Sequence, residues 1–182
     1  MKEVRIHARA GQGAITTGAL LGAAAFVKGR YALAFPTFGA ARMGAAMNAF
    51  VRLSDKEIRL RCQVYEPDYL LIMDPTLMRG YDVFSGARKG GIAIVNQKEP
   101  VTPPAHVQDF KVYSVPGNDI AKEVMGRPIG NTAILGAFAA ATGEIDLPSL
   151  EKTIRERFSG KVAEMNVTAA KRGYEYMKKL MN

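Results

Sequence analysis

Apolar segments along the chain are interrupted by Gly, Pro and Asp, and the segments between the breaks alternate in strand and helix character. Val4 to Arg9 reads as a short β-strand, Ala10 to Gly13 as the turn after it, and Ala14 to Lys28 as a helix with an Ala- and Leu-rich interior that Gly29 ends. Tyr31 to Phe35 is a second strand, and PTFGAARMGAA after it has the glycines and proline of a loop. Met47 to Leu53 and Ile58 to Cys62 flank SDKE, a pattern that predicts an antiparallel hairpin. Tyr69 to Met73 and Gly91 to Val95 are compact apolar runs of the kind buried on both faces of a sheet, with a short helix expected around Asp82 to Arg88 between them. Lys111 to Val115 is one more strand, and helices are expected over Asp119 to Met125, Asn131 to Ala141, Leu147 to Phe158 and Val162 to Leu180. In the final helix Val167, Ala170, Tyr174, Met177 and Met181 recur at spacings of three and four and form a packing stripe. The alternation predicts an α/β fold: a single three-layer α/β/α domain over residues 1–182, its sheet mostly parallel and made mixed by the SDKE hairpin.

A chain of 182 residues with 48% hydrophobic and 23% charged residues is the size and composition of one ordinary globular domain. No apolar stretch reaches the roughly 20 residues of a membrane span, and the N-terminus has no leader-like pattern, so a cytoplasmic protein without a membrane partner is expected. The single cysteine, Cys62, excludes an internal disulfide and any cysteine-ligated cluster or zinc site made by this chain alone. His7 and His106 lack the spacing of a metal pair, and no metal ligand or catalytic residue is assigned.

Charge adds a location. The net charge is +8, and between Val4 and Ser54 there is no acidic residue, while Arg5, Arg9, Lys28, Arg30, Arg42 and Arg52 all lie there. That third of the chain is expected to face an anion or an acidic partner. Nucleic acid fits less well, because the basic residues are scattered and no row of stacking aromatics accompanies them.

The same third contains RAGQGAITTG, a glycine loop that opens a helix. A dinucleotide-binding loop needs a third glycine where Thr16 stands and an acidic residue about 20 positions on; neither is present. A P-loop needs lysine and a hydroxyl where Ala19 and Leu20 stand. What remains is Gly11 and Gly13, which let backbone approach a ligand, Gln12, the hydroxyls of Thr16 and Thr17, and the unpaired N–H groups of a helix start. These suit an anion that is held and not cleaved; a plain strand-to-helix turn is the other reading of the same residues.

Four stretches, HARAGQGAITTGALLGAAAF, YALAFPTFGAARMGAAMNAFVRLSD, QVYEPDYLLIMDPTL and GNTAILGA, follow one another along nearly the whole chain and resemble the gamma subunit of the 2-oxoacid:ferredoxin oxidoreductases, in particular the pyruvate and 2-oxoisovalerate branch. The resemblance implies a complex with alpha, beta and delta subunits that decarboxylates a 2-oxoacid oxidatively to acyl-coenzyme A and CO2. It places thiamine diphosphate with Mg and the 4Fe-4S clusters on the partner subunits, from which electrons pass to ferredoxin or another acceptor. It also implies a contact with coenzyme A in this chain: Gly11, Gln12 and Gly13 at its phosphate or pantetheine portion, Thr16 capping it, and Arg42, Asn131 and Thr132 as neighbours. Arginine suits a phosphate through its fixed donor fork, and for Asn131 a helix N-cap is an equal alternative. Ala8, Ala41 and Ala46 depart from the family's usual Gly, acidic residue and Pro; loss of the acid beside Arg42 removes a salt-bridge partner from that arginine. The reading from another class is a stand-alone nucleotide- or anion-binding regulatory protein.

Overall fold

The computed structural model describes residues 1–37, 42–107 and 109–182. Six strands, β1 (Lys2–Arg9), β2 (Tyr31–Thr37), β3 (Ala46–Ser54), β4 (Tyr69–Ile72), β5 (Ile92–Val95) and β6 (Lys111–Ser114), form one sheet in the order β2-β3-β1-β4-β5-β6. β3 runs antiparallel to its neighbours β1 and β2, while β1, β4, β5 and β6 pair in parallel. The sheet is therefore mixed and mostly parallel.

Alternation along β1 decides what each face holds. Val4, Ile6 and Ala8 join Val51, Leu71 and Ile94 in one apolar cluster, which includes residues from α1 (Ala14–Val27), α2 (Gly117–Met125), α3 (Asn131–Thr142), α4 (Leu147–Arg157) and α5 (Gly160–Met181). The five helices thus cover one face. The other face has a smaller cluster, Leu70, Ile72, Ala93 and Val95 under Leu77, Phe84, Val107 and Phe110, and its cover consists of 3-10 turns at Pro75–Arg79 and Ala105–Val107 with their loops. The second outer layer is made of turns, not of α-helices.

The helix ends follow local chemistry. Asp146 starts α4 by accepting the Ser149 N–H at 2.8 Å, with Pro148 in the first turn, and Gly143 in the left-handed region ends α3. α3 and α5 cross with their backbones in contact: a Cβ on Gly136 would strike the Ala170 carbonyl, and one on Gly173 the Ala133 carbonyl. Val167, Ala170 and Met177 of the expected stripe are buried there and Tyr174 is half-buried, whereas Met181 at the last turn is exposed.

Two expected elements are absent for identifiable reasons. Ile58 to Cys62 is not a strand, and the antiparallel partners of β3 are β1 and β2 instead. The guanidinium of Arg52, 1% exposed, takes the carbonyls of Leu60, Cys62 and Gln63 at 3.1, 2.7 and 3.1 Å, oxygens that a strand ladder would have used. Arg52 is itself held by Glu3 at 2.8 Å. Residues 82–88 form turns rather than a helix, because Arg5 Nη2 donates to the Val83 and Ser85 carbonyls at 3.1 and 2.6 Å and Asp82 accepts the Phe84 N–H at 3.1 Å.

Candidate functional site around the glycine loop

β1 delivers the loop Ala10 to Gly13 to the edge of the sheet where its parallel strands end, beside β4. The chain continues from β1 outward to β2 and β3 on one side, and β4, β5 and β6 extend on the other. Such a reversal of strand order opens a crevice at the carboxyl ends of the strands, the usual ligand position in open α/β sheets. Here the crevice is a small cavity of about 140 Å³ bordered by Gly11, Gln12, Met73, Asn96, Ile129 and Asn131.

Gly11 and Gly13 have φ of 98° and 78°, a region that side chains other than glycine rarely enter. Gly13 caps α1 and supplies no side-chain acceptor, and the first turn of α1 has no acidic residue, so the helix start keeps its positive character. Gln12 braces the loop: its Oε1 accepts the Arg9 N–H at 2.8 Å and its Nε2 donates to Asp74 Oδ2 at 2.7 Å. Burial alone would raise the Asp74 carboxyl, but hydrogen bonds from Thr76 and Gln12 and the charge of Arg9 hold it below the ordinary range. Asp74 is therefore an anion fixed at the foot of the loop, with Arg9 Nε at 3.2 Å.

Asn131 reaches the loop from α3 and donates its Nδ2 to the carbonyls of Gln12 and Gly13 at 3.1 and 3.2 Å. It is not the N-cap of α3, a position held by Gly130; its Nδ2 is taken up by the two loop carbonyls while the residue borders the crevice. A Cβ on Gly13 would collide with this same Nδ2. Thr132 lies elsewhere: it is buried and its hydroxyl donates to Asn166 Oδ1 of α5 at 3.1 Å. Thr16 is half-buried in the first turn of α1, and among the described residues its hydroxyl makes no hydrogen bond.

The turn that carries Arg42 docks on the glycine loop. Ala10 N–H donates to the Ala45 carbonyl at 2.8 Å, Gly44 N–H to the Ala10 carbonyl at 3.0 Å, and Met43 Sδ sits against Gly11. Arg42 is exposed and has no ion pair among the described residues; Ala41, its expected missing acidic neighbour, lies outside them. The structure brings Gly11, Gln12, Gly13, Thr16, Arg42 and Asn131 to one end of the sheet and leaves Thr132 out.

The acid-free third of the sequence is not acid-free in space. Arg9 pairs with Asp74, Arg30 with Asp55 and Glu144, and Arg52 with Glu3. The positive character near the loop rests on the start of α1 and on Arg42, not on all six cations. A second support went unread in the sequence: Asn96, after β5, donates to the Met73 carbonyl at 3.1 Å and to Asn118 Oδ1 at 3.0 Å, and Asn118 Oδ1 accepts the Gly130 N–H at 3.0 Å. The available signal was an asparagine directly following an apolar strand and another opening a helix after PG.

Residues 3–176 match the family described as pyruvate ferredoxin/flavodoxin oxidoreductase. The chain belongs to that family. Within it the chain is a gamma subunit of a pyruvate or related 2-oxoacid ferredoxin oxidoreductase. It is 46% identical over 178 residues to the pyruvate/ketoisovalerate oxidoreductases common subunit gamma of Pyrococcus furiosus, covering 96% of both chains. The crystal structure of the pyruvate oxidoreductase subunit PORC of Thermotoga maritima superposes with a TM-score of 0.82 at 37% identity, over 96% of this chain and 95% of that one. The 2-oxoglutarate:ferredoxin oxidoreductase of Magnetococcus marinus includes the same fold, with a TM-score of 0.81 at 20% identity, over 100% of this chain and 31% of that one. Among the described residues no helix is long and apolar enough to cross a membrane, and no group of three or more His, Cys, Asp or Glu could hold a metal ion.

Proposed function

We propose that this subunit presents the glycine loop to coenzyme A within a complex of alpha, beta and delta subunits. The observation that carries the reading is a helix start with no side-chain cap, preceded by two left-handed glycines and flanked by the exposed Arg42, at the carboxyl end of a parallel sheet. These residues fit a phosphate group: the exposed Gly11 and the uncapped start of α1 offer backbone N–H groups, Thr16 offers a hydroxyl, and Arg42 offers a forked donor. Gln12 and Asn131 act one step back, holding the loop through Asp74 and through its own carbonyls. Thr132 has no part in it. When bound, coenzyme A supplies the thiol that receives the acyl group. The Magnetococcus enzyme was solved with coenzyme A and succinyl-CoA bound, in keeping with this reading.

On this proposal thiamine diphosphate with Mg and the 4Fe-4S clusters reside on the partner subunits, electrons leave through those partners to ferredoxin or another acceptor, and the complex works in the cytoplasm. Residues 1–182 act as one unit. Nothing in the comparisons favours a free-standing regulatory protein.

The test is Arg42→Ala in the assembled complex. Losing one exposed charge-assisted contact to a phosphate should raise the KM for coenzyme A roughly 5- to 10-fold, leaving the KM for the 2-oxoacid unchanged. Equal changes in both constants, or none, would remove the loop from the coenzyme site. Gly13→Val is a poor substitute, since its side chain would displace Asn131 and strain the backbone whatever the ligand does.

A further inference from the structure

On the sheet face turned away from the helices, a cavity of about 370 Å³ opens over β1 and β3, and none of its lining residues belongs to the glycine-loop crevice. Its polar wall is Arg5, His7, Asn48 and Thr37, with the Tyr81 side chain at one side; Leu77 and Ala46 give it apolar surface. Arg5 and His7 are 8% and 9% exposed; the sequence marks Arg5 only as one of the six cations of the acid-free third and gives His7 no role.

Arg5 is bound in a definite pose. Its Nε donates to His7 Nε2 at 3.1 Å, and its Nη2 donates to the Val83 and Ser85 carbonyls. Its third nitrogen, Nη1, makes no hydrogen bond among the described residues, and no carboxylate lies within ion-pair distance of Arg5 there. The acidic residue at the cavity, Asp82, is half exposed and engaged elsewhere: its Oδ1 accepts the Phe84 N–H and its Oδ2 lies 3.4 Å from His106 Nε2. A buried guanidinium without a contact anion is costly, so a cavity that admits an anion to it offers a gain on binding.

His7 settles the charge of the site. Burial first, then the charge of Arg5, push its pKa down to about 3, against the smaller opposing hydrogen bonds to Val83 and Asn48, so the ring is neutral and accepts from Arg5 at Nε2. The cavity therefore offers the Arg5 cation, which the half-exposed Asp82 at the rim offsets only through space, amide and hydroxyl groups from Asn48 and Thr37, and an apolar wall.

We infer that this cavity is a binding site for a small organic monocarboxylate with a short apolar tail, its carboxylate on Arg5 Nη1 and its tail against Leu77 and Ala46. One cation matches a monoanion better than a phosphate dianion, and the apolar wall has no use for inorganic phosphate. The inference is independent of the coenzyme A reading.

The experiment titrates the purified full chain with isovalerate, isovaleramide and inorganic phosphate, followed by saturation-transfer NMR. Isovalerate should bind saturably, and the neutral amide and phosphate should each bind about tenfold more weakly or not at all. Arg5→Gln should abolish the preference for the acid over the amide. Because Arg5 also supports residues 83–85, Ala46→Phe provides the second variant: it fills the cavity, leaves the bonds of Arg5 intact, and should weaken isovalerate about tenfold or more in a chain that still folds. Unsaturable binding, equal binding of acid and amide, tighter binding of phosphate, or an Ala46→Phe chain that binds as the unaltered one does would each overturn the proposal.

Discussion

Replacing Gly136 by Ala tests the crossing of α3 and α5 by the sign of its effect. In an isolated helix the change is favourable by ~1 kcal/mol, because alanine restricts the unfolded chain and suits the helix. Here the added methyl would strike the Ala170 carbonyl and lie 2.7 Å from its carbon and 3.0 Å from the Ala170 Cα. Carbon atoms pack at about 3.5–4.0 Å, so α5 must retreat by ~1 Å, and the obstacle is backbone, which cannot rotate away. Overpacking of this kind costs about 1–3 kcal/mol, and with a backbone obstacle the upper end applies. Subtracting the propensity gain leaves a net loss of ~2 kcal/mol, a fall in Tm of about 4–8 °C for a domain of this size. Urea denaturation and calorimetry would measure it. The reciprocal contact adds a second reading: once α5 has moved, Gly173→Ala should cost less in the Gly136→Ala background than alone. A Gly136→Ala chain that is more stable than the unaltered one would refute the argument, since only propensity would then be acting.

Two further outcomes follow from buried charge. Arg52→Met should cost about 3–5 kcal/mol in urea denaturation, because Glu3 stays buried with only the more exposed Arg88 at 3.3 Å, and amide exchange should accelerate between residues 60 and 63; Glu3→Gln in the same chain should restore part of the loss. His7 has its folded pKa depressed to about 3, whereas in the unfolded chain it titrates near 6.5; as pH falls below about 6.5 the unfolded state takes up a proton that the folded state refuses, so stability declines, by up to ~1.4 kcal/mol per pH unit. Between pH 7 and 5, above the carboxylate range, His7→Gln should flatten that slope; an unchanged slope would mean the ring is not held neutral.

Most of the architecture was legible because it rests on local signals. The helix starting at Ala14 and the runs at Tyr69 and Gly91 announce themselves by apolar composition between glycines, and the observed bounds differ by a residue or two. The two missing elements share one cause, an arginine side chain that takes the carbonyls of another segment. Ile58 to Cys62 has the composition of a strand, but nothing in those residues reveals that a guanidinium ahead of them in sequence will take their carbonyls. Asp82 to Arg88 loses its helix to Arg5 in the same way. The 3-10 turn at Pro75 was readable in principle from Asp74 and the proline that follows it. At the candidate site the glycine loop was visible as a departure from known patterns, and the turn that carries Arg42 packs against it. Asn131 was noticed for its residue type, but its role as a clamp on two carbonyls depends on how α3 approaches β1. Thr132 was misplaced by a single step along the helix, which turned its hydroxyl to α5.

Glu3 and Arg52 face each other directly across β1 and β3, as do Arg5 and Phe50, and His7 and Asn48. A slip of β3 by one residue would swing Arg52 and Asn48 to the helix side, among Leu21 and Leu71, and leave Glu3 buried without its guanidinium. A strand apolar on both faces tolerates such a slip cheaply; this one cannot, because a one-residue slip strands two charges away from water. The ion pair thus serves as an alignment key for the first long-range pairing in the chain, penalising wrong registers more than it strengthens the right one.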